Sequence, residues 1–581
     1  MSRRPTRTAA PAAQPSATSI TAGGAVLARL KAVGVDYIFA NSGTDFPPII
    51  EGLAEATARD IALPRAIVIP HEHAAMGMAH GYYLATGRAQ AVMAHTNVGL
   101  ANCAIGAINA AIENVPVILF SGRTPVLEHG RLGARSVPIG WGQEMRDQSA
   151  LVREASKWDY ELRFPEQAAE LIDRAYAIAS STPKGPVYLS LPREVLCQPS
   201  PADALAQPPR MHPALAAPQP AALDEAARLI AGAKHPVIIA QRGAGSAAAF
   251  AALGEMALAW GIPVSQYWAV QLAIAGDHPM SVGVDPASWL KDADLVLVLD
   301  SIAPWSPAIH HLAEGCKVVQ VGQDPLASRV PIRNFPADVT LVGETADVIP
   351  ELARRLAPQL AATASQREAR RKAVAAAHAA RRAAVVAQAK RGDGEPMTKE
   401  FVSLTLSQAI ETRNATVLSE LGCPLEPLTL RSHQAWYQEP HAGGLGWSFP
   451  AALGMQLADP KRLVVATMGD GSYMFSNPVA CHQIAEALGL SVLVLILNNS
   501  EWGAVRRSVL DVYPDGYASK TNKMPLVSLE PSPDFVKVAE ASRAFARRVH
   551  KGVELGEALR QAIDHVTAGK GLALLDIRVA P

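Results

Sequence analysis

Two polar clusters, Gly469-Asp470-Gly471 and Asn498-Asn499, each follow an apolar run, with 26 residues between them. An Asp carboxylate and an Asn amide oxygen are hard oxygen donors. They suit a Mg²⁺ ion together with diphosphate oxygens. The glycines let backbone N–H groups come close to phosphate. A lone Gly-Asp-Gly is an ordinary turn. The same triplet and an Asn pair, each closing an apolar strand, form a specific signal.

The elements that must position these groups are legible around them. Residues 462–468 and 491–497 are near-continuous β-branched and aliphatic runs, as in parallel strands buried on both faces. Between them, 478–488 reads as a helix, with Val479, His482, Ile484 and Leu488 on one side. The result is a βαβ unit with polar residues at the carboxyl ends of its strands, where open α/β sheets bind ligands.

This arrangement resembles the signature of thiamine diphosphate (ThDP) enzymes, Gly-Asp-Gly followed at this distance by Asn-Asn. Here Ser500-Glu501-Trp502-Gly503 comes next. The resemblance implies that Asp470, Asn499 and the Glu501 carbonyl hold Mg²⁺. It also implies that Gly469, Gly471, Ser472 and Trp502 belong to the cofactor site. The intervening loop is slightly longer than the family pattern, so the helix after it is expected to start irregularly.

A chain of 581 residues, 18% charged and 49% hydrophobic, has ample material for about three or four domains. Lys+Arg and Asp+Glu are both 53, so there is no basic field for nucleic acid. No apolar run is long enough to span a membrane. The five cysteines (103, 197, 316, 423, 481) are scattered, without CxxC or metal spacing, which suits reduced thiols in the cytoplasm. Residues 1–19 are rich in Arg, Ala, Pro and Ser, with no acid before Asp36. A transit peptide has this composition, but the prolines at 5, 11 and 15 favour a disordered tail.

Three α/β blocks follow: 20–196, 220–357 and 398–581. Residues 197–219 form a proline-rich linker, and 358–397 a helical one. Alternating strands and helices imply doubly wound parallel sheets. The basic stretch 365–391 has high helix propensity and reads as a solvated surface helix. In the middle block, Gly243-Ala-Gly245-Ser-Ala-Ala248 loosely matches a dinucleotide fingerprint. The next strand, beginning at Pro263, lacks the acidic residue that would hold a ribose. The stretch therefore reads as a strand-to-helix turn.

ThDP chemistry also needs a carboxylate on pyrimidine N1′, which makes the neighbouring 4′-amino group a base toward C2. Glu72 fits this need. It follows the apolar run 66–69 and precedes a small-residue helix. The stretch from Pro70-His-Glu-His to Gly81-Tyr-Tyr-Leu-Ala-Thr-Gly87 resembles the pyrimidine-binding motif of the acetolactate synthase and benzoylformate decarboxylase group. A zinc HExxH reading fails because position 75 is Ala, and His73 reads as packed or hydrogen-bonded. Residues 442–454 resemble the segment that wraps the aminopyrimidine, with Gly444 beside Leu445. Leu445 stands where a bulky apolar side chain wedges the cofactor into its bent form.

The resemblance covers about residues 20–581. It implies an α/β fold of three doubly wound domains: pyrimidine-binding, central and diphosphate-binding. It also implies a cofactor shared between subunits, hence a homodimer at least, assembled as a homotetramer. Thr44 and His95 align with a catalytic Ser and a catalytic His of benzoylformate decarboxylase. A His there can relay protons, or simply cap the next helix. Arg123 could pair with a substrate carboxylate or face solvent. Trp141, Gln143 and Glu144 lie in a pocket-filling loop. His278 sits in an Asp-His-Pro that is widespread in the family. The segment 299–305 lacks the Arg through which acetolactate synthases hold FAD, which argues against that cofactor.

The expected activity is ThDP- and Mg²⁺-dependent cleavage or formation of a C–C bond in a small 2-oxo acid, as by a non-oxidative decarboxylase or carboligase. The alternatives are an acetolactate synthase-like carboligase, a diketone or 2-hydroxyacyl lyase, and a non-catalytic ThDP-binding homologue. Retention of Glu72, Asp470 and Asn499 argues against the last.

Overall fold

A computed structural model describes residues 19–581 apart from Asp203, Ala204, Ala206 and Asn522. The tail reading at 1–19 lies outside the described residues except for Ser19.

Three six-stranded sheets follow one another along the chain, each parallel throughout. The first runs Arg65–Val68, Tyr37–Ala40, Gln90–Ala94, Val117–Arg123, Val187–Pro192, Asp159–Glu161 across its width. The third runs Trp436–Gln438, Ala415–Glu420, Leu463–Gly469, Val492–Asn498, Ala573–Arg578, Phe545–Val549. By rank in sequence both read second, first, third, fourth, sixth, fifth. Each reverses its winding between its first and third strands, and that reversal opens a crevice at the carboxyl ends. The central sheet reads third, second, first, fourth, fifth, sixth, with its reversal between Pro236–Ala240 and Leu295–Leu299.

The strands form where the aliphatic runs stand. Val492–Asn498 is buried at every position, as a strand covered on both faces must be. The first and third domains share one core. Helix Glu72–Thr86 crosses helix Ser448–Ala458, and Met76, Ala79, Phe449 and Leu453 pack with Met468 and Val494. The backbones touch because the residues at the crossing are small. A Cβ at Gly81 would lie 1.8 Å from the Ala451 carbonyl oxygen.

One ionic junction ties all three domains together. Glu113 of the first domain pairs with Arg242 of the central domain at 2.7 Å, and Arg242 reaches Asp300 at 3.1 Å. Glu113 also accepts the His441 N–H of the third domain at 2.9 Å.

Three elements differ from expectation. Helix Pro478–Leu488 buries Cys481, His482, Ile484 and Ala485, while Val479 in its first turn is exposed. A short helix, Asp470–Phe475, precedes it, and Asn477 at φ 54° sets its entry. The basic helix, Ala364–Lys390, is not merely solvated. Arg367 and Arg370 donate to the carbonyls of Ala259 and Gly261, at the end of helix Ala247–Trp260, at 2.6 and 3.1 Å. Free carbonyls at a helix C-terminus attract cations. Further along, Arg381 pairs with Glu426 at 2.7 Å and Arg382 donates to Thr429 at 2.9 Å, so the helix clamps the central domain to the third. Finally, the proline-rich linker contains a strand, Pro199–Pro201, paired antiparallel with Ser19–Thr21.

Candidate functional site

The carboxyl ends of Leu463–Gly469 and Val492–Asn498 are neighbours, with Gly469 opposite Leu497. Asp470 therefore opens its short helix beside the Asn pair. The two asparagines have different jobs. Asn498 donates to Asp576 at 3.0 Å and accepts from Ser500 N–H at 3.1 Å and Arg578 at 2.9 Å. It is fully engaged in holding the strand ends. Asn499 makes one local turn contact, its oxygen accepting the Glu501 N–H at 3.1 Å. Ser500, at φ 57°, turns the chain between them.

Asp470 is 1% exposed, and its Oδ2 has no hydrogen-bond partner. Burial pushes its carboxyl up to about 6. A buried carboxylate oxygen without a partner is costly, and a cation bound there relieves that cost. The donors at this strand end are an Asp oxygen, an Asn amide and the Glu501 backbone carbonyl, a hard-oxygen set that fits Mg²⁺. Among the described residues there is no cluster of three or more His, Cys, Asp or Glu side chains to make a different metal site. Ser472 is buried in the first turn of the same short helix. The Trp502 ring covers Gly471, where a Cβ would meet it at 2.3 Å.

A residue with no sequence signal beyond its place at a strand end organises the rest of this domain. Glu420, fully buried, accepts the Gly446 and Ser448 N–H groups at 2.6 and 2.7 Å. It thus fixes the loop that carries Gly444 and Leu445. Burial raises its carboxyl, and three backbone donors oppose that shift. Gly444 is also clasped by Asn109 of the first domain, at 2.9 and 3.2 Å.

Glu72 opens helix Glu72–Thr86 and is 5% exposed. Its Oε1 accepts from the Asn41 amide at 3.0 Å, and its Oε2 from the Asn102 amide at 2.9 Å. Two neutral amide donors fix the carboxyl group, one on each oxygen. Gly99 leaves room for it, since a Cβ there would lie 2.7 Å from Oε1. The next residue, His73, is buried and bonds the Gly446 carbonyl at 3.1 Å. The Glu72 helix therefore abuts the loop bearing Leu445.

His95 stands at the N-cap of helix Thr96–Ile112 but makes no side-chain capping bond. Its Nδ1 instead pairs with Asp45, and its Nε2 lies 3.2 Å from the Gln143 amide. Asp45 holds the imidazolium form, raising the His95 pKa against the opposing effect of burial. The Thr44 side chain is exposed, lining a small cavity with Asp45 and Gln143, and its carbonyl accepts from Arg193 at 2.9 Å.

The remaining sequence candidates are engaged elsewhere. Arg123 is held by Glu144 at 2.6 Å and Glu161 at 3.3 Å, so its charge is already met. Trp141 is exposed, with its indole N–H on Glu128 at 3.0 Å and Arg135 stacked on it. His278 lies in the central domain, where Nδ1 accepts the Met280 N–H at 3.1 Å. A cavity of about 340 Å³ lies between the first and central domains, walled by Lys157 and Lys184 on one side and Arg242 and Ser301 on the other. The carbonyls of Ser301 and Ile302 there are taken by Arg333.

Three parallel α/β domains thus carry a buried carboxylate with an unpartnered oxygen at the strand ends of the third and a carboxylate clasped by two amides on the first. Family models match in order along the chain. The N-terminal, central and C-terminal domains of thiamine pyrophosphate enzymes match residues 20–151, 223–352 and 425–577. The chain belongs to the thiamine pyrophosphate enzyme family. It is 28% identical to "Probable 2-ketoarginine decarboxylase AruI" of Pseudomonas aeruginosa, across 98% of this chain and 95% of that one. It is 26% identical to acetolactate synthase of Mycobacterium bovis, across 94% and 86%. The solved thiamine diphosphate-dependent 4-hydroxybenzoylformate decarboxylase of Rhodococcus jostii RHA1 has the same fold. Its TM-score is 0.75 at 21% identity, covering 97% of this chain and 99% of that one.

Proposed function

We propose that the protein is a ThDP- and Mg²⁺-dependent decarboxylase of a small 2-oxo acid. The observation that carries this reading is His95. Its ring is turned away from the helix it precedes and toward Asp45 and Gln143, where the Asp45 carboxylate favours its protonated form, so it is placed to bring a proton. Decarboxylation needs such a proton where the carboxyl group has left, whereas carboligation replaces it with a second carbonyl. Bound ThDP would supply an acidic carbon that adds to the substrate carbonyl and accepts the electrons of the breaking C–C bond. Asp470, Asn499 and the Glu501 carbonyl would hold the metal, and Gly469, Gly471 and Ser472 would border the diphosphate. Glu72, fixed by Asn41 and Asn102, would hydrogen-bond the pyrimidine. Leu445, on the loop held by Glu420, would support its bent form.

The carboligase reading draws on the likeness to acetolactate synthase. The two are separated by ¹³C NMR of products from pyruvate and benzoylformate, each with ThDP and Mg²⁺, with and without an aldehyde acceptor. Aldehyde and CO₂ support the proposal. Acetolactate or a hydroxyketone as the main product overturns it in favour of carboligation.

We further infer a homodimer, paired into a tetramer, in which Glu72 of one subunit serves the Asp470 site of another. Mixing Glu72→Gln with Asp470→Ala subunits then restores up to about a quarter of wild-type activity, because random pairing leaves one intact site in each hybrid. No recovery on mixing would place both residues in one chain's site. Among the described residues no helix is long and apolar enough to cross a membrane. The five unpaired cysteines, three of them buried, fit the reducing cytoplasm in which we place the enzyme.

A further inference from the structure

The Asp45 carboxylate is 5% exposed and is held at both oxygens. Oδ1 meets His95 Nδ1, and Oδ2 accepts the Thr96 N–H at 3.2 Å. Thr96 donates from φ 36°, a left-handed conformation that costs a Thr side chain energy and recurs at functional sites. Two glycines make the space. A Cβ at Gly43 would sit 2.1 Å from His95 Nδ1, and one at Gly122 would sit 1.6 Å from Asp45 Oδ2. Four separate segments (41–46, 94–99, 120–124 and 141–144) thus converge on one carboxylate–imidazole pair.

We propose that Asp45 is the positioning residue of His95, holding the ring as the Nδ1–H tautomer so that Nε2 carries the proton delivered to substrate. The inference rests on the decarboxylase reading for the proton's destination. The pair itself rests on geometry alone. In the neutral ring, Nδ1–H donates to Asp45 and Nε2 accepts from the Gln143 amide. In the imidazolium form, both nitrogens donate, and the Gln143 amide turns its oxygen to Nε2. When Nε2 gives up its proton to the carbon that has lost CO₂, a C–H bond forms. The N–H pair of electrons stays on Nε2, and a neutral ring remains against the Asp45 carboxylate. The ring never needs to rotate, which is what a fixed tautomer provides.

The other charges around the pair do not replace Asp45. Glu72 adds a weaker attraction for the imidazolium. Arg123 and Arg135, which line the adjoining cavity, are paired with Glu144. Arg193 donates to the carbonyls of Gly133, Thr44 and Ala134.

The test is Asp45→Asn in the ThDP- and Mg²⁺-loaded enzyme, read two ways. First, His95 is titrated by NMR after histidine isotope labelling, its signal being assigned by its loss in His95→Gln. Second, the pH profile of kcat is measured. A lowering of the His95 pKa by about one to two units, with the alkaline limb of kcat moving by the same amount and ThDP affinity unchanged, supports the proposal. Gly122→Ala, which crowds Oδ2, gives a shift of the same sign. Asp45→Glu restores part of it. An unchanged His95 titration in Asp45→Asn overturns the assignment, even if turnover falls. If no 2-oxo acid is turned over while the His95 shift is present, the decarboxylase reading fails and the pair stands.

Discussion

Gly81→Ala probes the contact on which both stability and the site depend. The added Cβ lands 1.8 Å from the Ala451 carbonyl oxygen and 2.6 Å from its carbon, where ordinary contact begins at 3.4 Å. Neither group is the flexible end of a side chain, so helices Glu72–Thr86 and Ser448–Ala458 must part by about 1.5 Å. Parting them loosens Met76, Ala79, Phe449 and Leu453, which belong to the core shared by the two domains. Overpacking of this kind costs about 3 kcal/mol. The cost reaches the site, because the 3.1 Å bond from His73 to Gly446 spans the same gap. Gly87→Ala is the control. Nothing lies within 4 Å of its Cβ, and only its φ of 71° is strained, so it costs about 1 kcal/mol. The assay is chemical denaturation followed by Trp fluorescence, with ThDP titration on the same samples. Gly81→Ala is expected to show the lower midpoint and the weaker ThDP binding. Equal midpoints and equal affinities for the two variants would refute the close crossing.

Gly99→Ala acts on Glu72 directly. Its Cβ would meet Oε1 at 2.7 Å and displace the carboxylate from its two amide donors, so kcat is expected to fall on the order of 10²-fold while the thermal midpoint stays near wild type. Wild-type turnover in this variant would show that the placement of Glu72 is not critical. Acid should destabilise the fold through two buried histidines. Burial lowers His80 and His482 to about 4 from the usual 6.5. A folded pKa below the unfolded one means that stability is full above about pH 6.5 and is lost as pH falls toward 4. The loss amounts to up to about 3 kcal/mol for each group. His482→Gln, which keeps a polar partner for Tyr473, should flatten the acid limb of the unfolding midpoint by one proton's worth. An unchanged slope would contradict this assignment.

Much of the fold was legible because its strands are doubly covered. Leu463–Gly469 and Val492–Asn498 need apolar residues on both faces, and such runs stand out against amphipathic helices. The adjacency of Asp470 and Asn499 was legible for a related reason, since a βαβ unit places the ends of adjacent strands side by side. Short edge strands such as Ser281–Gly283 and Trp436–Gln438 carry no such pattern. Asp45, Asn41 and Asn102 were not legible as partners. Each lies about 30 or more residues from the group it holds, and a single polar residue in a loop has no periodicity to report its partner. The arginines of Ala364–Lys390 misled for the opposite reason. Their charge suggests solvent, but Arg367, Arg370 and Arg382 donate to carbonyls of distant helix ends and loops, and Arg381 pairs with Glu426.

In the proposed site, Glu72 activates ThDP held at Asp470. Hydrogen–deuterium exchange at C2 of bound ThDP, measured by NMR after acid quench in wild type and in Glu72→Gln, tests it most directly. Rapid exchange is expected in the wild type. In Glu72→Gln, exchange is expected to slow by roughly 10²–10⁴, with Mg²⁺-dependent ThDP binding retained. Exchange at the wild-type rate in Glu72→Gln would contradict it.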